Sequence, residues 1–289
     1  MRSLLINADD FGLTLGINRA VLELHQAGAL TSATLMAAAP AFADAVEMAQ
    51  VHPSLGVGCH VVLVDGEPVA PPDAISTLLD PFSPQPSFYP TLGRFLRALL
   101  MGCIDPAHIE REAAAQIAKL RTHGIQPTHI DTHKHTHMFA RVLLPVLRAA
   151  QGQGVRAIRN PFEPAWSVRV TPNAPWVRRA EVHLLRRMRA HFLRSVSLHG
   201  LRTSSGSLGV LATGTLDADA LRAILAQVPA GKWELVCHPA YLDDALLATR
   251  TRLLASRQVE LQALLAVLAQ DAPSDSLPSM QRIHFGHLQ

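Results

Sequence analysis

Short apolar runs alternate with longer amphipathic ones along most of this chain. Ser3–Ala8, rich in Leu and Ile, predicts a buried strand. Ile17–Gln26 carries apolar residues at Ile17, Ala20, Val21 and Leu24, which is helical spacing, and Gly28 ends it. Thr31–Ala37 predicts a second strand, Ala41–Gln50 a second helix, and Leu55–Val64 a third strand with His60 inside it. Thr91–Leu100 and Pro106–His123 read as helices, and the strand that follows ends near Asp131. Arg141–Gln153 is helical with a local break at Pro145, and Val155–Arg159 predicts another strand. Pro175–Ser195 predicts an Arg-rich helix whose apolar stripe is Val182, Leu185, Met188 and Phe192. Asp217–Gln227 is a helix, Trp233–Cys237 a strand, Arg250–Ala269 a long amphipathic helix and Arg282–Phe285 a short last strand. Three stretches break the rhythm. Asp65–Pro90 reads as a long inserted loop, Asn160–Asn173 as irregular and Pro-rich, and Gly200–Val210 as Ser/Gly-rich.

Alternating strands and helices predict an α/β protein with mainly parallel strands. A count near eight favours a distorted (β/α) barrel of TIM type, with a long inserted loop and an Arg-rich helix, over an open doubly wound sheet. No Gly-x-Gly-x-x-Gly follows the first strand, so a dinucleotide fold loses its main signature. The 289 residues suit one large domain spanning 1–289.

Composition narrows the function classes. The chain is 48% hydrophobic and 17% charged, with a net charge of +3, too mild to argue for nucleic acid. Cys59, Cys103 and Cys237 form no CxxC pair, and their odd number gives no disulfide framework. The N-terminal apolar run is too short for a signal peptide and runs straight into Asp9-Asp10. The expectation is a cytoplasmic protein. The basic helix over 178–194 adds a second expectation, peripheral contact with an anionic membrane, against the plainer one of a solvated face or a dimer contact.

The chemistry concentrates in Thr128–His137, which puts four histidines and one aspartate into ten residues. Imidazole and carboxylate are common ligands for divalent transition metals. His129, Asp131, His133, His135 and His137 share one strand parity, yet five such groups cannot all fill an apolar interior. The strand therefore ends near Asp131 and the later histidines fan out from a loop. Other polar residues also fall at strand ends: Asp9 and Asp10, Arg159, and His238 before Pro239. In a (β/α) barrel such ends converge on one face, where active sites of that fold are built. Adjacent carboxylates can divide the work, one on a metal and one free as a base. Asp131 could bind metal or orient a ligand histidine. His60 could be a core histidine or point to its strand's end. His238 could cap a loop or donate a proton.

Several segments in order carry a resemblance. They are Asn7–Gly12 (Asn-Ala-Asp-Asp-Phe-Gly), Thr31-Ser32 with Met36, Gly58-Cys59-His60 with Leu63, His129–His137, and Glu234–Pro239. Together the chain resembles the YdjC-like carbohydrate deacetylases, a family that includes chitooligosaccharide deacetylases and hopanoid-biosynthesis-associated members. The resemblance is weaker between Asn160 and Gly214, where Thr203–Gly209 lacks the acidic or aromatic residues common in the family. It implies a barrel-like fold, often a homodimer, and removal of an N-acetyl group from an amino sugar. It also implies a divalent metal on Asp10, His60 and His133, with Mg or Zn first and Ni, Co or Mn as alternatives. On that basis Asp9 is the expected general base and His238 the expected acid. Asp131, His135, His137 and Arg159 are expected to support the site or face substrate. A metal-dependent phosphoesterase and a non-catalytic sugar- or lipid-binding protein are the competing expectations.

Overall fold

The first strand, β1 (Arg2–Phe11), lies in the middle of a parallel sheet and carries the site at its far end. The computed structural model describes residues 1–172, 174–271 and 277–288; position 173, where the irregular segment was expected to end, lies outside them, as do 272–276 and 289. Six more strands follow: β2 (Ser32–Leu35), β3 (Gly56–Val61), β4 (Ile130–Thr132), β5 (Gly206–Leu208), β6 (Gly231–Cys237) and β7 (Gln281–Arg282). Their order is β4-β3-β2-β1-β6-β5, with β7 paired to the start of β1. Every pairing is parallel.

The sheet curls. Isolated bridges Ile130↔Ile158 and Ala157↔Arg202 cross the space between β4 and the approach to β5. The expected strand Val155–Arg159 is reduced to these bridges, so seven strands stand among the described residues where about eight were expected. Two backbone bonds hold it on either side: Ile130 N donates to Ala157 O and Arg159 N to Ile130 O, while Ile158 N donates to Arg202 O and Arg202 N to Arg156 O. The result is an α/β fold with a curled, barrel-like parallel sheet.

Helices cover the outside: α1 (Leu15–Gln26), α2 (Phe42–Val51), α3 (Leu92–Leu100), α4 (Pro106–Thr122), α5 (Ala140–Gly152), α6 (Ala165–Val170), α7 (Trp176–Leu185), α8 (Arg189–Leu198), α9 (Ala218–Leu225), α10 (Asp244–Ala248) and α11 (Ala255–Leu268). Sequence sets several starts. Thr14, Asp105 and Asp217 each accept a backbone N–H of the first turn. The predicted basic helix is a run of α7, a 3₁₀ turn at Arg186–Met188 and α8. The irregular stretch before it contains α6, and the Ser/Gly-rich stretch contains β5, neither of which the apolar pattern signals.

Alternation along β1 divides the core. Leu4, Ile6 and Ala8 pack outward under the helices. Leu5 belongs instead to a small inner cluster with Ala157, Ile283, Phe285 and Leu288. That cluster floors the curled sheet at the amino ends of its strands. Two glycines in β3 make the room. A Cβ at Gly58 would lie 2.4 Å from the His129 ring, and one at Gly56 2.6 Å from His284.

Candidate metal centre

Above Leu5, the inward positions of β1 become polar at Asn7 and Asp9. The register to β2 slips between Ala8 and Phe11, and Asp10 takes a left-handed φ of 63°. A regular strand would turn Asp10 to the opposite face from Asp9. The irregularity brings both carboxylates to the same place. His60 and Asp131 arrive as direct cross-strand partners on β3 and β4. His133 follows where β4 gives way to a 3₁₀ turn, His133–Met138, kinked by left-handed Lys134 and His135.

Three of these side chains form a small triangle. Asp10 Oδ1 lies 3.5 Å from His60 Nε2 and 3.4 Å from His133 Nδ1. The two nitrogens are 3.3 Å apart. Bonds of about 2.0–2.1 Å to a tetrahedral centre place neighbouring ligand atoms roughly 3.3–3.4 Å apart. The triangle thus has the dimensions of three corners of a metal site. Behind it, His60 Nδ1 donates to Asp131 Oδ1 at 2.7 Å. That bond leaves Nε2 to face the triangle, the arrangement that orients a ligand imidazole.

Charge points the same way. Among the described residues, Asp9, Asp10, Asp131 and Glu234 are buried and face two buried guanidiniums, Arg159 and Arg257. Arg159 reaches three of them: Asp9 at 2.6 and 2.7 Å, Asp131 at 2.5 Å and Glu234 at 2.6 Å. Arg257 Nη2 holds Asp10 Oδ2 at 2.5 Å, so Asp10 keeps Oδ1 for the triangle. Four carboxyl groups against two fixed cations favour a further positive charge, which a proton on His60 or a bound metal ion would supply.

The proton affinities follow from these contacts. Burial pushes the Asp9 carboxyl up, but the charge and hydrogen bonds of Arg159 outweigh it and hold Asp9 well below the usual carboxylate range. Asp10 is likewise depressed, with Arg257 and the two histidines overcoming burial. Burial works against a charged His60, yet Asp131, Asp9 and Asp10 raise it to about 9. Burial and the neighbouring carboxylates raise Glu234 to about 7, against the pull of Arg159.

The other expected residues take separate places. His238, just past β6, puts Nε2 3.8 Å from Asp9 Oδ2, while its backbone N–H donates to Glu260 at 2.6 Å. His137 is fully buried, bonded to Thr132 Oγ1 at 2.7 Å and to the Arg159 carbonyl at 3.2 Å. It fixes backbone and does not join the triangle. His135 packs edge-on to His137, and its Nδ1 has no partner among the described residues. His129 lies on the floor, stacked on Phe285 with ring centroids 3.7 Å apart. The inserted loop does lie beside the site. Val69 and Ala70 N–H donate to Glu112, and Asp65 pairs with Lys134 at 2.8 Å.

Sequence reasoning missed Glu234, Arg257 and Glu260. Glu234 carried a signal, being an acid within an otherwise apolar strand. Arg257 and Glu260 carried none, because charges on an amphipathic helix ordinarily face water.

The chain is similar to known proteins over most of its length. A carbohydrate deacetylase of Brevibacillus brevis is 32% identical over 273 residues, covering 91% of each chain. A carbohydrate deacetylase of Geobacillus stearothermophilus is 32% identical over 246 residues, 85% of this chain and 82% of its own. A crystal structure from Enterococcus faecalis V583, described as a "putative cellobiose-phosphate cleavage protein", superimposes with a TM-score of 0.77. It has 22% identity and covers 98% of this chain and 97% of its own, a likeness of fold alone. The family model for YdjC-like protein matches residues 3–272, and the chain belongs to that family.

Proposed function

We propose that this protein is a metal-dependent hydrolase that removes the N-acetyl group from an amino sugar. The observation that carries the reading is the Asp10–His60–His133 triangle backed by Asp131. Relatives named carbohydrate deacetylase supply the substrate class. The curled sheet is read as a distorted TIM-type barrel, closed by the bridged segment around Ile158. Asp10, His60 and His133 would hold one divalent ion, with Zn or Mg first and Ni, Co or Mn as alternatives. When bound, such an ion acidifies a water and polarises the acetyl carbonyl.

The chain's own groups divide the rest. Asp9 is the general base, ionised throughout the working range and fixed in orientation by Arg159. Arg159 also makes it a weak base, one that would serve a water acidified by a bound ion. His238 is the acid that protonates the leaving amine, a role supported by its position 3.8 Å from Asp9. Asp131 holds His60 and Arg159 holds Asp9 in place, and His137 bonds the Arg159 carbonyl. A phosphoesterase reading finds less support. The other His/Asp group, Asp9–His60–Asp131, shares His60 with the triangle and is already engaged by Arg159.

The test is acetate release from free N-acetylglucosamine, chitooligosaccharides and a glycosylated lipid, with phosphate esters alongside. The expected result is release from at least one acetylated sugar, abolished by a chelator and restored by metal. Chelator-resistant release, or turnover of phosphate esters alone, would overturn it.

A further inference from the structure

The α7–α8 run has two unlike sides. One is packed: Phe192 is buried between Phe162 and His137, at ring distances of 5.6 and 6.1 Å. Two arginines staple the run along β5. Arg189 Nη2 donates to Ser205 O before the strand, and Arg178 Nη2 donates to Val210 O beyond its carboxyl end. The amino end of α7 is therefore anchored at the rim that also carries Asp10 and His238.

The other side faces water and is apolar. Trp176 is 79% exposed, Val177 46% and Leu184 58%. With exposed Ala180 they follow the spacing of one helix face. Cations border it. Between Trp176 and Leu198 stand six arginines and one acid, Glu181. The side chains of Arg186, Arg187 and Arg194 have no hydrogen bond or ion pair among the described residues, and Arg187 and Arg194 are exposed.

We propose that this face docks the protein onto an anionic lipid bilayer, with Trp176, Val177 and Leu184 entering the headgroup boundary and the arginines on the lipid phosphates. Indole at the boundary and arginine at the surface are the chemistry of interfacial helices. A second copy fits worse. In a two-fold contact the patch meets itself, which would set Arg187 and Arg194 against their own kind. A nucleic acid would satisfy the arginines but leave Val177 and Leu184 in water. The inference stands independently of the chemistry at Asp10.

The test is co-sedimentation of the full chain with phosphatidylcholine vesicles, with and without phosphatidylglycerol, at low and high salt. Binding is expected only with phosphatidylglycerol, is reversed by salt, and comes with a blue shift of tryptophan emission that Trp176→Phe removes. Arg187→Gln with Arg194→Gln should weaken partitioning about 25-fold, some fivefold per arginine. Trp176→Glu with Leu184→Glu should abolish the insertion. Far-ultraviolet circular dichroism and melting confirm that each variant folds. Equal or absent binding to both vesicles overturns the inference. So does unchanged binding by the variants, tighter binding to an oligonucleotide, or a wild-type dimer that Trp176→Glu converts to monomer.

Discussion

The two ends of the curled sheet use the same strands for opposite purposes. At the amino end, Leu5, Ala157, Ile283, Phe285 and Leu288 make a dry floor, completed by a segment from the far end of the chain. At the carboxyl end, the same inward face offers Asp9, Asp10, His60, Asp131 and Arg159. Backbone strain follows the division. Of the four non-glycine residues in left-handed conformation among the described residues, Asp10 belongs to the triangle, Lys134 and His135 follow His133, and Asp65 pairs with Lys134. Each such residue costs about 1–2 kcal/mol. A floor stabilised by apolar burial lets the other end hold crowded charges and strained backbone. The lesson is that chemistry and stability here are separable along the strand axis.

The largest effect should come from removing a triangle corner. His133→Ala is expected to lower turnover about a thousandfold or more, because metal-bound charge stabilisation is worth several kcal/mol. Bound metal, read by calorimetry, should fall with it. His133 is partly exposed, so thermal melting of the metal-free variant should match the parent. Unchanged acetate release would break the site assignment. Phe285→Ala should do the reverse, costing about 3–5 kcal/mol of stability in urea unfolding. Metal affinity, measured on the fraction still folded, should persist. If both variants lost stability and metal binding together, the two ends would not be separable.

Why the division was only partly legible in the sequence is itself physical. Strand ends bearing Asp9, Asp10, His60, Asp131 and His238 were readable because acids and histidines interrupt apolar runs. The convergence of Asp9 and Asp10 was not, since it depends on an irregularity of register between Ala8 and Phe11. Parity grouped His129 with His133, yet one is on the floor and the other at the mouth. The floor itself was invisible: Arg282–Phe285 looked like an ordinary last strand, and nothing local says that Phe285 stacks on His129. Arg257 is the same case on a helix, a charge whose partner Asp10 is 247 residues away.

A smaller effect sharpens the upper end. Asp131→Asn keeps the shape but removes the charge that orients His60. Loss of such a partner typically costs 10–100-fold in metal affinity. The same variant leaves Arg159 with one fewer carboxylate, so the isotherm should be read with a melting curve. An unchanged affinity would mean that His60 needs no help from Asp131.

The smallest effect near neutrality is a pH dependence that both ends share. Burial holds His129 on the floor and His137 under the site well below the ordinary imidazole range. Above about pH 6.5 these groups are neutral whether the chain is folded or not, and they contribute no pH dependence. Below it the unfolded chain takes up protons that the folded chain refuses, so stability falls as pH falls. Each histidine should add about 1.4 kcal/mol per pH unit to that slope. His60 acts in the opposite sense. Burial opposes its charge, but Asp131 and the other carboxylates raise it to about 9, so in metal-free protein its contribution is full below pH 6.5 and is lost as pH rises through 9. His129→Phe separates the ends. It preserves a ring against Phe285; of the two nitrogens discarded, Nε2 has no partner among the described residues and Nδ1 bonds Thr128 Oγ1 at 2.9 Å. Urea unfolding from pH 10 to pH 5 should then show the acid slope below about pH 6.5 reduced by one histidine's share, with the alkaline limb from His60 untouched. A slope identical to the parent's would mean that the floor histidine is not kept neutral by the fold.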